Sequence, residues 1–250
     1  MHDYGVDVRV LLLGGTADGR ELAAALTQAG IDVITSVAGR TSQARNQVGA
    51  RVGGFGGVEG LIGYLSANEI DAVIDATHPF ASRMTANAAQ ACAATRIRLL
   101  RFTRQSWRTH PHAADWAWVP DHAAAAALAA MAPGRVLLTV GRQPLPAYRS
   151  LNDVVARVAE WQGDEVPAGA RILESRGPFD FDAELALLRD EKITMLVSKD
   201  SGGAENGAKL DAAAQLEVPV VMIARPPLPE GLPEITSIAD AVSWVSTPND

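Results

Sequence analysis

Three segments of this chain bring glycines, hydroxyls and charged side chains together at spacings that chemistry uses. The first is Gly14-Gly15-Thr16-Ala17-Asp18-Gly19-Arg20. Glycines in such a loop let the backbone turn tightly and carry N–H groups close to a diphosphate at a helix N-terminus. Thr16 stands where the dinucleotide fingerprint G-x-G-x-x-G has its middle glycine, and a tight turn without a ligand gives the same pattern. The second is Asp75-Ala76-Thr77-His78-Pro79-Phe80-Ala81. There Thr77 or His78 caps a following helix, or His78 touches a cofactor or substrate, or His78 donates a proton. The third is Ser198-Lys199-Asp200-Ser201-Gly202-Gly203, with Lys209 in the helix expected after it. A cation, hydroxyls and flexible backbone suit the capture of carboxylates, while an ordinary turn with a surface lysine is the plain alternative. Arg142 and Arg176 also follow apolar runs, where they either bind carboxylates or pair with nearby acids.

These loops need strands to hold them. The run Val8-Arg9-Val10-Leu11-Leu12-Leu13 before Gly14 reads as a buried parallel strand. Leu22, Ala25, Leu26 and Ala29 recur at helical spacing over residues 18–29, closed by Gly30. Strands follow at 31–37, 72–75 and 97–100, with helices at 58–67 and 80–94, the latter started by Pro79. Residues 102–120, with Trp107, Trp116 and Trp118, break the period and read as an extended connection or lid. An alanine-rich helix over 123–132 ends at Pro133-Gly134. The pattern then restarts with Arg135-Val136-Leu137-Leu138-Thr139-Val140-Gly141, and strands at 154–158, 171–173, 195–197 and 218–223 alternate with helices at 183–189 and 208–216. Residues 91–104 echo residues 211–226, each a helix end, a strand and an arginine exit. The expectation is an α/β protein of two Rossmann-like domains with mainly parallel sheets, residues 1–132 and 133–250, and a ligand cleft between them.

The second strand bears on which nucleotide is used. NAD sites commonly end it with an acid for the ribose 2′-hydroxyl, and NADP sites supply an arginine for the 2′-phosphate. Here it closes Ser36-Val37-Ala38-Gly39-Arg40-Thr41, with no acid and a glycine-flanked arginine, which favours NADPH unless Arg40 is only a solvated loop residue. The residues expected around the cofactor are Gly14, Gly15, Thr16, Asp18, Gly19, Arg20, Ser36, Ala38, Gly39, Arg40 and Thr41, with Thr77, His78 and Phe80 of the second segment as candidates beside them.

The net charge of -7 argues against nucleic acid as a partner, which needs a basic footprint. Arginine far outnumbers lysine and many arginines sit beside glycine or proline. That suggests a cleft for a small polyanion, although codon bias gives the same excess. Cys92 is the sole cysteine, and His110 and His112 flank a proline, so no metal site is expected. The first residues carry no basic run, and no apolar run approaches the ~20 residues that span a bilayer. A cytoplasmic protein without membrane partners, favoured as a monomer, is expected.

Taken in order, the GGT loop, Val52-Gly53-Gly54-Phe55-Gly56-Gly57, DATHPF, Thr139-Val140-Gly141-Arg142, Arg176-Gly177-Pro178-Phe179, the SKDSGG loop and VVMIARPPLP resemble the precorrin-6A reductase family. The resemblance runs from Val10 to Trp244, with DATHPF and the SK-x-SGG segment its most specific parts. It implies NADPH-dependent reduction of one ring double bond of precorrin-6A to give precorrin-6B, in corrin-ring (cobalamin) biosynthesis, with no metal or flavin. The implied substrate is a tetrapyrrole bearing acetate and propionate arms; related reductases take a metal-free or a cobalt-containing ring, both stay open, and the metal-free one is favoured. Arg142, Arg176, Ser198, Lys199, Asp200, Ser201, Gly202, Gly203 and Lys209 are then its expected contacts, and His78, Lys199 or water its proton donor. Two rivals remain: a reductase of another small anion, and a non-catalytic NADPH sensor.

Overall fold

The computed structural model describes residues 8–39, 49–163, 165–203 and 206–247. They form two six-stranded sheets in which every pairing is parallel. Strands buried on both faces must be apolar throughout, and β1 (Arg9–Leu13) meets this with Val10 to Leu13 all buried. With β2 (Asp32–Val37), β3 (Arg51–Val52), β4 (Ala72–Asp75), β5 (Arg98–Phe102) and β12 (Glu234–Ile235) it makes the order β12-β5-β4-β1-β2-β3. The second sheet runs β6-β11-β10-β7-β8-β9, built from β6 (Ala117–Val119), β7 (Arg135–Thr139), β8 (Val154–Val158), β9 (Arg171–Glu174), β10 (Ile193–Lys199) and β11 (Val220–Ile223).

The α-helices among the described residues are α1 (Ala17–Gln28), α2 (Val58–Ala67), α3 (Ser82–Thr95), α4 (His122–Ala129), α5 (Phe181–Asp190), α6 (Ala208–Gln215) and α7 (Ile238–Ser246). α1 turns Leu22 and Leu26, one helical turn apart, into the first core, where they meet Val10, Leu12, Ala241 and Val245. α3 starts at Ser82, later than expected, because Pro79 and Phe80 form a turn closed by the Ala81 N–H to the His78 carbonyl. No helix among the described residues is long and apolar enough to cross a membrane.

The chain divides into compact units differently from the expected cut at 132/133. One unit is Met1–Arg104 with Pro227–Asp250, and the other is Gln105–Pro226. The reason is an exchange. Among the described residues each half of the chain supplies six strands in the same sequential order, β1–β6 and β7–β12. The sixth strand of each half, with the helix after it, joins the other half's sheet. Thus β6 pairs with β11 and is followed by α4, which packs on the second sheet, while β12 pairs with β5 and leads into α7 against α1. The repeat boundary near residue 132 is present in the chain order; the packing boundary is not there.

The tryptophan-rich connection is also corrected. It is no lid: 3-10 turns at Trp107–Thr109 and Ala113–Asp115 lead into β6, and Trp107 and Trp116 lie in the second core beside Leu210 and Met222.

Candidate functional site

In open parallel sheets, ligands bind beyond the carboxyl ends of the strands where the order reverses. In the first unit this point lies between β1 and β4, and the GGT and DATHPF loops leave it side by side. Thr16 is the N-cap of α1: its Oγ1 accepts the Gly19 N–H at 3.0 Å and donates to the Ala76 carbonyl at 3.2 Å. The Gly14 N–H donates to the Ser36 carbonyl at 2.8 Å, tying the loop to the end of β2. Gly15 takes φ +119° with open space where a Cβ would stand, so the backbone there can be approached closely. At Gly19 a Cβ would lie 3.1 Å from Thr16 Oγ1 and 3.4 Å from the Ala76 carbonyl, which is the close helix–strand contact the last glycine of the fingerprint serves.

Thr16 therefore replaces the middle glycine without blocking the loop. It caps the helix, and α1 still presents the positive end of its dipole. Asp18 sits in that first turn, and its carboxylate is paired with the Arg104 guanidinium. Arg20 folds back, donating from Nη1 to the Thr16 carbonyl at 3.2 Å, and is exposed. This donor set and open backbone fit a diphosphate.

The DATHPF loop is held by a buried ion pair. Arg101 and Asp75 are 2% and 0% exposed at the side chain and stand 2.8 Å apart. Asp75 also accepts from the N–H and hydroxyl of Thr77 and from the Thr85 hydroxyl. Arg101 donates to the Thr77 hydroxyl and carbonyl. Thr77 is thus a clamp that fixes the next residue. His78 Nδ1 accepts the Phe80 N–H at 3.2 Å, so a neutral His78 carries its proton on Nε2. The His78 and Phe80 rings lie 5.8 Å apart. At the end of β2, Ser36 is buried, Ala38 is exposed and Gly39 takes φ +67°. Arg40 and Thr41 lie outside the described residues.

In the second unit the corresponding loop is Val140-Gly141-Arg142, after β7. It leads into the four-residue 3-10 turn Leu145–Tyr148, with no α-helix between β7 and β8. A helix N-terminus for a diphosphate is found at this position only in the first unit. Lys199 ends β10, and its Nζ lies 4.0 Å from where a Cβ on Gly141 would stand. His122 opens α4 at the same sheet edge and its Nδ1 is 2.9 Å from the Tyr148 hydroxyl. Burial, then the Lys199 charge, push the His122 imidazole down to about 4, against the pull of Asp121, so it is neutral at pH 7. Arg176 lies 3.4 Å from Glu160. Gly202 and Gly203 take φ +66° and +83°, and the Ser201 N–H donates to the Lys199 carbonyl.

Three expected substrate contacts face inward instead. Ser198 is buried within β10. Asp200 accepts from the Ser106 hydroxyl at 2.7 Å and the Trp107 N–H at 2.8 Å, and pairs with Arg225 at 3.4 Å. Lys209 donates to the Asn206 carbonyl at 2.6 Å. Burial, then the Arg157 charge, push the Lys209 ammonium down to about 8, opposed by Glu184. Side-chain direction here is set by partners distant in sequence, which loop composition does not reveal. Arg101, Arg104 and His122 went unassigned in the sequence; the arginine exit after β5 was the visible trace of Arg104.

A family model described as Precorrin-6x reductase CbiJ/CobK matches residues 9–246. The chain belongs to the precorrin-6x reductase family. Within it, the chain is 42% identical over 243 residues to the precorrin-6A reductase of Rhodococcus erythropolis, covering 96% of this chain and 98% of that one. It is 44% identical over 241 residues to the precorrin-6A reductase of Mycobacterium tuberculosis, covering 95% and 97%. A solved structure of CobK precorrin-6A reductase superposes with a TM-score of 0.85 at 38% identity, over 96% of each chain. The match to this reductase family spans both units, including the exchanged strands and helices.

Proposed function

We propose that this enzyme reduces a ring double bond of precorrin-6A with NADPH, yielding precorrin-6B in corrin-ring biosynthesis. The observation that carries the proposal is family membership along residues 9–246 together with the capped, open-backbone helix N-terminus at residues 14–19. Bound nicotinamide supplies the hydride that the reduction requires.

The protein's own part is binding, orientation and charge. The loop at Gly14, Gly15 and Thr16 holds the diphosphate against α1, and Arg104 neutralises the Asp18 carboxylate that would otherwise repel it. The clamp of Asp75, Thr77 and Arg101 aims the His78 ring, whose Nε2 proton faces away from the bond to Phe80. His78 then contacts cofactor or substrate and is one candidate to protonate the reduced ring; Lys199 and water are the others. Arg142, Arg176 and Lys199 meet the carboxylate arms of the tetrapyrrole, aided by the turn at Ser201, Gly202 and Gly203. The metal-free ring is the favoured substrate, since the relatives at 42% and 44% identity are named for it. The proposal includes a monomer working in the cytoplasm.

Purified protein, NADPH and either metal-free precorrin-6A or its cobalt form provide the test. The expected result is NADPH oxidation with a shift in the tetrapyrrole spectrum, faster with the metal-free ring. No turnover with either, despite nucleotide binding, would overturn the proposed reaction. A His78→Ala enzyme with unchanged turnover removes His78 as proton donor.

A further inference from the structure

Arg51, on the short strand β3, has a setting that stability alone does not require. β3 pairs with β2 so that Arg51 lies opposite Ser36 and Val52 opposite Val37. Ser36 is the residue whose carbonyl takes the Gly14 N–H, so Arg51 stands one strand over from the glycine loop, at the carboxyl end of β2. Its guanidinium is held from several sides. Nη1 donates to the Gly53 carbonyl at 2.7 Å and to the Ser36 hydroxyl at 3.3 Å, and Nη2 donates to the Gly54 carbonyl at 2.8 Å. The Phe55 ring packs on it with Cζ 3.9 Å from the ring centroid, and the Tyr64 ring follows at 5.1 Å.

Those contacts fix a plane and leave one edge. A guanidinium has five N–H donors, and Nε and Nη2 share the edge that takes two oxygens of a phosphate side by side. Both Nε and Nη2 keep an N–H that no described residue accepts. The turn that follows Arg51 is glycine-rich and uncrowded: at Gly53, Gly54, Gly56 and Gly57 a Cβ would meet nothing within 4 Å. Holding a long cation rigid in advance lowers the ordering cost of binding an anion. In a dinucleotide fold, the group that arrives at the end of β2 is the adenosine ribose with its 2′ substituent.

We infer that Arg51 is the specificity-determining cation for the 2′-phosphate of the nucleotide, presented by the glycine turn after β3. This deepens the NADPH reading proposed above and rests on it. Arg40 was the sequence's candidate for this role. A two-residue strand gives no periodic signal that would set Arg51 apart in the sequence.

The test is calorimetric titration of the full-length protein with adenosine 2′,5′-bisphosphate and with ADP, for the unaltered chain, Arg51→Gln and Arg51→Lys. The unaltered chain is expected to prefer the 2′-phosphate ligand by about tenfold or more, the scale of one charge-assisted contact. Arg51→Gln should erase that preference while ADP affinity stays within about twofold, and Arg51→Lys, which keeps the charge but loses the fork, should retain part of it. If the unaltered chain shows no preference, the NADPH reading itself fails. A preference that survives both substitutions overturns the role of Arg51 and leaves that reading intact. Equal loss of both ligands makes Arg51 a support for the loop alone and also overturns the inference. Should Arg51→Gln fail to fold, Arg51→Lys decides by whether the preference falls.

Discussion

At Asp18 two electrostatic demands meet. An acid in the first turn of a helix is favoured by the dipole, yet the same acid repels a diphosphate brought to that helix end. The Arg104 guanidinium, 86 residues further along the chain, reconciles them by pairing with the carboxylate. Arg104→Ala is therefore expected to weaken NADPH and NADH alike, by roughly ten- to a hundredfold, since the loss of a charge-assisted bond is of order 1.5–3 kcal/mol. Adding Asp18→Asn to that variant should recover most of the affinity, and fluorescence titration of both nucleotides reads the result. Failure of the double variant to recover would show that Arg104 acts on the nucleotide directly. The glycines and Thr16 were legible in the sequence because a tight turn and a cap are local requirements. Asp200 and Lys209 were not, because their directions depend on Ser106 and Trp107 in one case and on the buried surroundings of Arg157 and Glu184 in the other.

The elements followed the sequence wherever apolar runs and helical spacing were long enough to carry a signal. Val58–Ala67 and Val154–Val158 coincide with their expected spans. β3, β6 and β12 have two or three residues each, too few for a period, and they exist because a neighbouring strand offers them hydrogen bonds. α7 went unread although Ile238, Ala241, Val242 and Val245 recur at helical spacing behind the Ser237 cap. The segment from Ser106 to Trp118 is anchored at Asp200, whose carboxylate holds its first residues to the end of β10. Asp200→Ala removes those bonds together with the 3.4 Å ion pair to Arg225. A loss of ~3–5 kcal/mol is expected, the scale of breaking a buried pair by deleting one member. Urea unfolding followed by tryptophan emission measures it; a loss under about 1 kcal/mol, the worth of a solvent-exposed pair, would mean that the carboxylate is not what holds the segment.

For the molecule as a whole, the duplicated order of strands was visible in the restart at Arg135, whereas the exchange was not, since sequence order carries no record of which sheet a sixth strand joins. Residues 105–226 hold one complete sheet in a single stretch. Expressed alone, they are expected to unfold cooperatively in urea. Residues 1–132 and 133–250 expressed separately are each expected to be aggregation-prone and to regain a cooperative transition only when mixed; a stable, monomeric 1–132 fragment would contradict the exchange. The first sheet depends on the end of the chain for more than β12. Arg98 donates to the carbonyls of Trp244, Val245 and Thr247, satisfying the last turn of α7, and its guanidinium stacks 4.7 Å over Trp244. Synthesis on the ribosome therefore reverses the apparent order of the two units. The first sheet begins first but is completed only by β12 and α7, which come after the whole of the second unit, while the second sheet begins later and closes earlier. Any chain stopped short of α7 leaves the ribosome with its second unit finished and its first unit still open at one edge.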